Sequence, residues 1–93
     1  MTGTTIRLKT CFALSGADSE TRILPEEVGT VADLLLHIGR EADFRFMNPA
    51  GQLEEDLEIL VNRKEIWFYP KALNTELQDG DVVEIYLLPL GGG

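Results

Sequence analysis

The sequence has few of the residues on which disulfide-bonded, metal-binding and membrane proteins depend. One cysteine cannot form an internal disulfide, and one cysteine with one histidine cannot supply the nitrogen and sulfur ligands of a zinc site. No apolar run approaches the roughly 20 residues that span a bilayer. Residues 1–7 lack a basic segment followed by an apolar one, so we expect no signal peptide. These absences predict a cytoplasmic protein that binds no metal.

Positive charge is also scarce. Lys and Arg number 8 against 16 Asp and Glu, which gives a formal net charge of -8 over 93 residues. Nucleic acids and anionic membranes attract proteins mainly through Lys and Arg, so we expect neither as a partner. The negative charge would steer the chain toward a basic protein partner, and it would equally serve solubility alone. The length fits one domain, and a 44% hydrophobic composition is typical of a soluble globular protein.

Candidate catalytic groups inside the chain are isolated from one another. Cys11 has two cations on its strand face, but no pattern supplies a base that would activate it. His37 is alone on a helix flank, and the acidic run Glu54–Asp56 lacks the ligand spacing of a calcium loop. Asp79–Asp81 is an Asp-Gly-Asp sequence, which is more typical of a turn than of a catalytic carboxylate pair. No phosphate-binding loop is present. We therefore predict no internal active site.

The first part of the sequence predicts a hairpin. Apolar and polar residues alternate from Thr5 to Leu14, the period of a half-buried strand. Ser15–Asp18 has the composition of a turn. A weaker strand follows at about Glu20 to Leu24 and is ended by Pro25. The two strands would pair antiparallel.

One amphipathic helix of about three turns is predicted next. Thr30 can cap its first free N–H groups, and Asp33 stands at the capping-box position. Apolar side chains recur at three- and four-residue spacing at Val31, Leu34, Leu35, Ile38 and Ala42. This stripe would pack on one face of a sheet, with Phe44, Phe46 and Met47 packing below the connection that spans residues 43–56.

The second half of the chain predicts three more strands. They are Leu57–Val61, Ile66–Tyr69 and Val82–Leu88, with turns at Asn62–Glu65 and Gln78–Asp81 and an irregular or short helical crossover at Leu73–Leu77. A right-handed crossover would place the first and last strands side by side in the middle of the sheet. The fold class is therefore α+β, a β-grasp roll with a mixed sheet of about five strands and one main helix on one face.

The last residues form a separate feature. An apolar strand runs through Pro89 and stops in Gly91, Gly92 and Gly93. Glycine restricts the backbone least, so three in succession do not pack. We expect residues 1–90 to form the domain and residues 91–93 to form a flexible tail. Such a tail is either a frayed end or a thin arm whose carboxylate can enter the active site of another protein.

Several of these segments together resemble a known family. Leu60–Asn62, the strand after it, Asp79–Ile85 and the Gly-Gly end resemble the small sulfur-carrier proteins with a ubiquitin-like fold, the MoaD-like and ThiS-like carriers. The most specific part is the Asp-Gly-Asp turn followed by a last strand that ends at a C-terminal diglycine. The length favours the small subunit of molybdopterin synthase over the thiamine-pathway carrier.

The resemblance implies a carrier function for the tail. An E1-like enzyme would use ATP to adenylate the carboxylate of Gly93, and sulfur would then displace AMP to leave a thiocarboxylate. Gly91 and Gly92 would form the narrow neck. The chain itself would bind no cofactor and catalyse no reaction, and its second partner would be the large subunit of molybdopterin synthase or an equivalent sulfur acceptor.

The resemblance also implies a partner-binding surface. It comprises apolar residues of the first and last strands and of the tail entry, namely Phe12, Leu87, Leu88, Pro89 and Leu90. Three alternatives share the same sequence features. The chain could carry sulfur for thiamine or cysteine synthesis, it could be a ubiquitin-like modifier joined to lysines, or it could be a β-grasp interaction module with incidental glycines.

Overall fold

The computed structural model describes residues 3–12, 16–42, 45–47, 50, 52–53 and 57–87, of which residues 11–12, 16–18, 42 and 87 are described by their backbone alone. Within these residues the chain forms a five-stranded sheet, one α-helix and two short 3-10 helices. In chain order the elements are β1 (Thr5–Phe12), β2 (Gly16–Ile23), α1 (Val31–Ala42), β3 (Leu57–Val61), β4 (Lys64–Glu65), the 3-10 helices Ile66–Phe68 and Ala72–Asn74, and β5 (Val82–Leu87).

The sheet is mixed, and its spatial order is β2-β1-β5-β3-β4. β1 and β5 pair in parallel, whereas the β1–β2, β3–β5 and β3–β4 pairs are antiparallel. A parallel pair formed by the first and last strands requires a crossover, and α1 lies within that long connection. The predicted central position of these two strands is therefore confirmed, and so is the β-grasp fold class.

The N-terminus of α1 is held by the predicted capping box. The backbone N–H of Asp33 donates to Thr30 Oγ1 over 3.2 Å, and Asp33 Oδ2 accepts from the N–H groups of Thr30 (3.3 Å) and Gly29 (3.2 Å). These bonds satisfy N–H groups that have no partner within the helix, and the carboxylate complements the positive end of the helix dipole. The predicted capping residues, Thr30 and Asp33, therefore mark the start of the helix.

The core lies between the apolar stripe of α1 and one face of the sheet. Alternate residues of β3 are buried, as the period of two requires. The helix contributes Val31, Leu34, Leu35 and Ile38, which confirms the predicted stripe at these four positions. Phe46 is buried and Met47 packs against the core, as predicted for the connection, whereas Phe44 lies outside the described residues. The sheet contributes Ile6, Leu8, Leu57, Ile59, Val61, Val83 and Ile85, and Leu24, Val28, Ile66 and Leu77 complete the core.

The predicted turn at Ser15–Asp18 is wrong at three of its four positions. Gly16, Ala17 and Asp18 belong to β2, where they pair with Phe12, Cys11 and Thr10. Their small size and turn propensity permit a turn, but the hydrogen bonds of the antiparallel ladder extend the strand instead. Ser15, together with the last two residues of the predicted first strand, lies outside the described residues.

The predicted strand Ile66–Tyr69 is also wrong. Only Lys64 and Glu65 pair with β3, and Ile66–Phe68 form a 3-10 helix. Ile66 is fully buried and Tyr69 packs against the core, whereas Trp67 and Phe68 are 58% and 70% exposed. Residues i and i+3 of a 3-10 helix share a side, so this turn buries the two ends of the apolar run. In a strand, the side chains of Ile66 and Phe68 would lie on the same face.

The crossover before β5 is tied to the start of α1. The second 3-10 helix, Ala72–Asn74, overlaps the predicted crossover Leu73–Leu77 at two residues and begins one residue before it. The backbone N–H of Val31 donates to the carbonyl of Thr75 over 3.1 Å. The N–H of Leu77 donates to the carbonyl of Gly29 over 2.8 Å. These bonds fix the chain just before the turn that leads into β5.

Candidate functional site

The candidate site is the end of β5, the strand that leads into the C-terminal tail. β5 is a central strand with β1 on one side and β3 on the other. Its position is set by backbone hydrogen bonds along both edges, and its core-facing residues Val83 and Ile85 are fully buried. A strand held in this way gives the residues that follow it a fixed point of departure.

The Asp-Gly-Asp turn ties the start of β5 to β1. The backbone N–H of Thr5 donates to Asp79 Oδ1 over 2.8 Å, and the N–H of Gly80 donates to the carbonyl of Thr5 over 2.8 Å. The N–H of Arg7 donates to the carbonyl of Asp81 over 2.9 Å. Gly80 has a φ of 89°, in the left-handed region that favours glycine. The turn interpretation of this sequence is therefore correct.

Asn62 ties the start of β5 to β3 from the other side. Its backbone N–H donates to the carbonyl of Val82 over 2.7 Å, and its Oδ1 accepts from the N–H of Val82 over 2.9 Å. Its Nδ2 donates to Asp81 Oδ1 over 3.0 Å, and the other oxygen of Asp81 accepts from the N–H of Gln78. Sequence reasoning found Asn62 as a turn residue, but its side-chain link to Asp81 was not predicted. The two residues are 19 positions apart, and only the β3–β5 pairing brings them together.

The structure brings together two of the predicted partner-binding residues by their backbone register. Leu87 ends β5 opposite Phe12, the last residue of β1, and its partner on β3 is Leu57, which is buried. Three strand ends therefore meet where the tail departs. The other predicted residues, Leu88, Pro89, Leu90, Gly91, Gly92 and Gly93, lie outside the described residues, and their functions stay predictions.

The sheet face opposite α1 carries charged groups that sequence reasoning did not assign to one surface. Glu84 is the register partner of Lys9 and accepts a hydrogen bond from the hydroxyl of Tyr86. Farther across this face, the neighbouring carboxyl group of Glu65 raises the pKa of Glu58 through a shared hydrogen bond. Strand alternation alone places these residues away from the core, but the neighbours across the sheet follow only from its strand order.

The remaining reactive residues form no catalytic group among those described. His37 Nε2 lies 3.4 Å from Glu41 Oε2, one helical turn away, and Arg22 Nη1 lies 2.5 Å from Glu41 Oε1. The hydrogen bond from Arg22 lowers the pKa of Glu41 and raises that of the guanidinium. This surface pairing supports the interpretation of His37 as a surface residue. Cys11 is described by its backbone, which pairs with Ala17 and Tyr86.

Across the described ranges, no group of three or more His, Cys, Asp and Glu side chains is arranged to hold a metal ion. No helix among these residues is long and apolar enough to cross a membrane.

Comparison with known protein families gives a match that covers residues 10–93 and includes β5 and the glycine tail. The matching family is the ThiS family. The chain belongs to the ThiS family. None of the curated proteins matches it.

Solved structures show the same fold. The Haloferax volcanii HVO 2177 protein superposes with a TM-score of 0.62 at 21% identity, covering 95% of this chain and 88% of its own. Small archaeal modifier protein 1 from Methanosarcina acetivorans gives 0.59 at 20% identity, covering 98% and 100%. A Pyrococcus furiosus protein described as a candidate subunit 1 of molybdopterin converting factor gives 0.56 at 25% identity, covering 90% and 99%.

The family and the fold together confirm the resemblance stated from the sequence. This chain is a ubiquitin-like sulfur carrier of the ThiS type, with the mixed sheet and single main helix of a β-grasp. Carriers of this type work with E1-like enzymes and with synthases that accept the sulfur.

Proposed function

We propose that this chain carries sulfur as a C-terminal thiocarboxylate on Gly93 and delivers it in the synthesis of molybdopterin. An E1-like enzyme would join the Gly93 carboxylate to AMP with release of pyrophosphate from ATP. Hydrosulfide would then form the C–S bond as the C–O bond to AMP breaks. The observation that carries the proposal is the ThiS family match, which continues from β5 through the last glycine.

The chemistry explains why the tail needs no catalytic residues of its own. A free carboxylate resists nucleophilic attack, and adenylation supplies AMP as a leaving group. The partner enzyme would supply that reaction, and the carrier would supply recognition and reach. A glycine neck has no side chains to obstruct a narrow channel, and the hydrogen bonds around Asp81 and Asn62 hold the other end of β5 in place.

The molybdopterin pathway is supported by two observations. The Pyrococcus furiosus structure described as a candidate molybdopterin converting factor subunit shares 25% identity with this chain. The chain is also longer than a thiamine-pathway carrier is expected to be. The acceptor would be the large subunit of molybdopterin synthase, with Phe12 and Leu87 contributing to the contact and Leu88, Pro89 and Leu90 lining the tail entry.

Intact-mass spectrometry tests the carrier chemistry. The full chain is incubated with an E1-like enzyme, magnesium ATP and hydrosulfide. We expect a mass increase equal to the difference between sulfur and oxygen, and fragmentation that places the sulfur on Gly93. Deletion of Gly92 and Gly93 should abolish the increase, because the terminal carboxylate is then on Gly91 and the shortened neck no longer carries it into the partner's active site.

Gly29→Ala is a matched control for the loss of glycine. A Cβ at Gly29 would meet no atom within 4 Å, so this variant should fold and react like the unchanged chain. If an activating enzyme that modifies its own carrier leaves this chain unchanged in mass, the carrier proposal is wrong. Delivery is then measured separately, as the yield of molybdopterin from the thiocarboxylate chain and a large synthase subunit.

A second candidate function is protein modification, and one observation favours it. Two of the structural relatives are named small archaeal modifier protein 1, from Methanosarcina acetivorans and Haloferax volcanii. Modification would use the same activation, after which a lysine amine instead of sulfur would displace AMP. Higher-mass adducts of the epitope-tagged chain in cells, lost when Gly92 and Gly93 are deleted, would support this function. Their absence would leave sulfur transfer as the use of the tail.

A further inference from the structure

A groove beside α1 has no described lining residue in common with the end of β5, and the proposed carrier chemistry does not use it. It consists of two depressions of about 530 Å³ and 510 Å³ that both include Met47 in their lining. We call their combined surface the α1 groove. Its α1 side is formed by Ala32, Leu35, Leu36, Gly39 and Arg40, and its other side by residues 45–47, 52–53, 67 and 71–74.

The α1 groove contains much of the exposed apolar surface. Four large apolar side chains among those described are exposed, and two of them, Leu36 at 49% and Trp67 at 58%, line this groove. A third, Phe68, is adjacent to Trp67 in the chain. Ala32 and Gly39 lie on the same side of the helix as Leu36 at helical spacing, and each lines one of the two depressions. Exposed apolar surface concentrated in this way marks an interaction site.

The described lining of the α1 groove is positively charged, whereas the chain as a whole is negatively charged. Its described lining includes three cations, Arg40, Arg45 and Lys71, and no Asp or Glu. Because the chain has twice as many acidic as basic residues, a cationic groove on it favours a partner segment with acidic side chains. None of the three cations takes part in an ion pair with another described residue. They are therefore available to carboxylates from another molecule.

We propose that the α1 groove binds a segment of a partner protein that carries both apolar and acidic side chains. The apolar side chains would cover Leu36, Met47 and Trp67, and the carboxylates would pair with Arg40, Arg45 and Lys71. Desolvation of the aromatic and apolar surface supplies the affinity, and the cations select acidic over basic segments.

The fluorescence of Trp67 tests this proposal directly, because it is the only tryptophan of the chain and it lines the groove. The probe is a synthetic amphipathic peptide of about 15 residues with Leu at helical spacing and Glu elsewhere. We expect a saturable blue shift of Trp67 emission as the peptide excludes water from the indole. The same peptide with Lys in place of Glu should bind about tenfold more weakly or not at all.

Variants assign the binding to the groove. The double variant Arg45→Glu and Lys71→Glu should weaken the acidic peptide about tenfold, since it replaces two attractions with repulsions at exposed sites. Arg63→Glu is the matched control, because Arg63 is an exposed cation of the β3–β4 turn that does not line the groove. It should leave the affinity unchanged. Deletion of Gly92 and Gly93 should also leave it unchanged, so this test is independent of the carrier chemistry.

Four results would overturn the proposal. One is the absence of saturable binding by the acidic peptide, and another is equal binding of the acidic and basic peptides. A blue shift caused by phosphatidylserine vesicles and not by the acidic peptide would assign the groove to a membrane surface. A shift of Trp67 emission in the ligand-free chain when Glu54, Glu55 and Asp56 are replaced by amides would assign it to the acidic run of this chain.

Discussion

At the scale of single residues, two carboxyl groups on neighbouring strands compete for a proton. Glu58 is on β3 and Glu65 is on β4, and the register partner of Glu65 is Leu60, two residues from Glu58. The hydrogen bond and the repulsion from Glu65 raise the pKa of Glu58. The folded chain therefore binds this proton more tightly than the unfolded chain does. The associated stability is present at low pH and is lost as the pH rises through the raised pKa.

The replacement Glu58→Gln removes this repulsion and keeps the side-chain shape. At pH 7 we expect it to stabilise the fold by no more than about 0.5 kcal/mol, because the pair is exposed and screened by solvent. At about pH 3, well below the ordinary pKa of a glutamate, the gain should disappear, because a protonated Glu58 no longer repels Glu65. Urea unfolding at the two pH values measures the difference.

Glu27→Gln is the control for net charge, because Glu27 is exposed in a turn. It removes the same charge from a chain of net charge -8 without touching the Glu58–Glu65 pair. An equal stabilisation by both variants would show that general repulsion, and not this pair, causes the effect.

At the scale of elements, the position of β5 depends on two turns that meet at its start. The Asp-Gly-Asp turn holds β5 against β1, and Asn62 holds it against β3. Asn62 and Arg63 both have positive φ, 53° and 69°, as the tight β3–β4 hairpin requires. Asn tolerates this conformation better than Arg does.

Asn62→Gly separates the side-chain bonds of Asn62 from its backbone conformation. Glycine accepts the positive φ, so the variant loses only the bonds to Asp81 and to the N–H of Val82. We expect a loss of about 1–2 kcal/mol in the free energy of unfolding, which is the sum of two modest hydrogen bonds. The midpoint of urea unfolding measures it.

The matched control is Arg63→Gly, one residue farther along the same turn. Arg63 makes no side-chain hydrogen bond with the described residues, and glycine relieves its left-handed backbone. This variant should be as stable as the unchanged chain or more so. If Asn62→Gly were equally harmless, the link from Asn62 to β5 would contribute nothing to stability.

The accuracy of the sequence predictions varied between elements. The helix was predicted well because its cap and its apolar stripe are local, and both appear as hydrogen bonds and burial in the structure. The strand Ile66–Tyr69 was wrong because an apolar, aromatic run favours a strand only if a partner strand is beside it. Here β4 ends at Glu65, and burial of Ile66 and Tyr69 on one side stabilises a 3-10 helix instead.

At the scale of the whole molecule, the negative charge has two explanations, attraction to basic partners and solubility, and an experiment can separate them. In the first, the partner surfaces that contact the carrier are basic, and the negative charge of the carrier accelerates association with them. Raising the ionic strength from about 0.05 M to about 0.5 M should then lower the association rate with an E1-like enzyme about tenfold. Stopped-flow or surface-based kinetics measures the rate, and the dissociation rate should change less.

A different dependence of the association rate on salt would contradict this explanation of the negative charge. If the negative charge serves solubility alone, the association rate is independent of salt, and precipitation at high salt is the only change. An association rate that rises with salt would mean that the partner surface is acidic. In that case the α1 groove, with its three cations, is the better candidate for the docking surface of the activating enzyme.

The sequence by itself determined the properties that depend on neighbouring residues and on composition. These are the alternation of β1, β3 and β5, the capped helix, the Asp-Gly-Asp turn and the family resemblance, whereas the tail as the reactive part stays a prediction. Each is local because strand and helix periods, caps and turns involve residues within a few positions of one another. The ThiS family match agrees with the resemblance based on these segments.

Only the tertiary structure decided which surfaces the elements share. It placed Phe12, Leu57 and Leu87 at one end of the sheet, joined Asn62 to Asp81, and exposed Trp67 beside Met47 and Lys71. These contacts join residues far apart in sequence, and they depend on strand order and on the competition between side chains for the core. A single sequence records which side chains are available, and packing decides which of them meet.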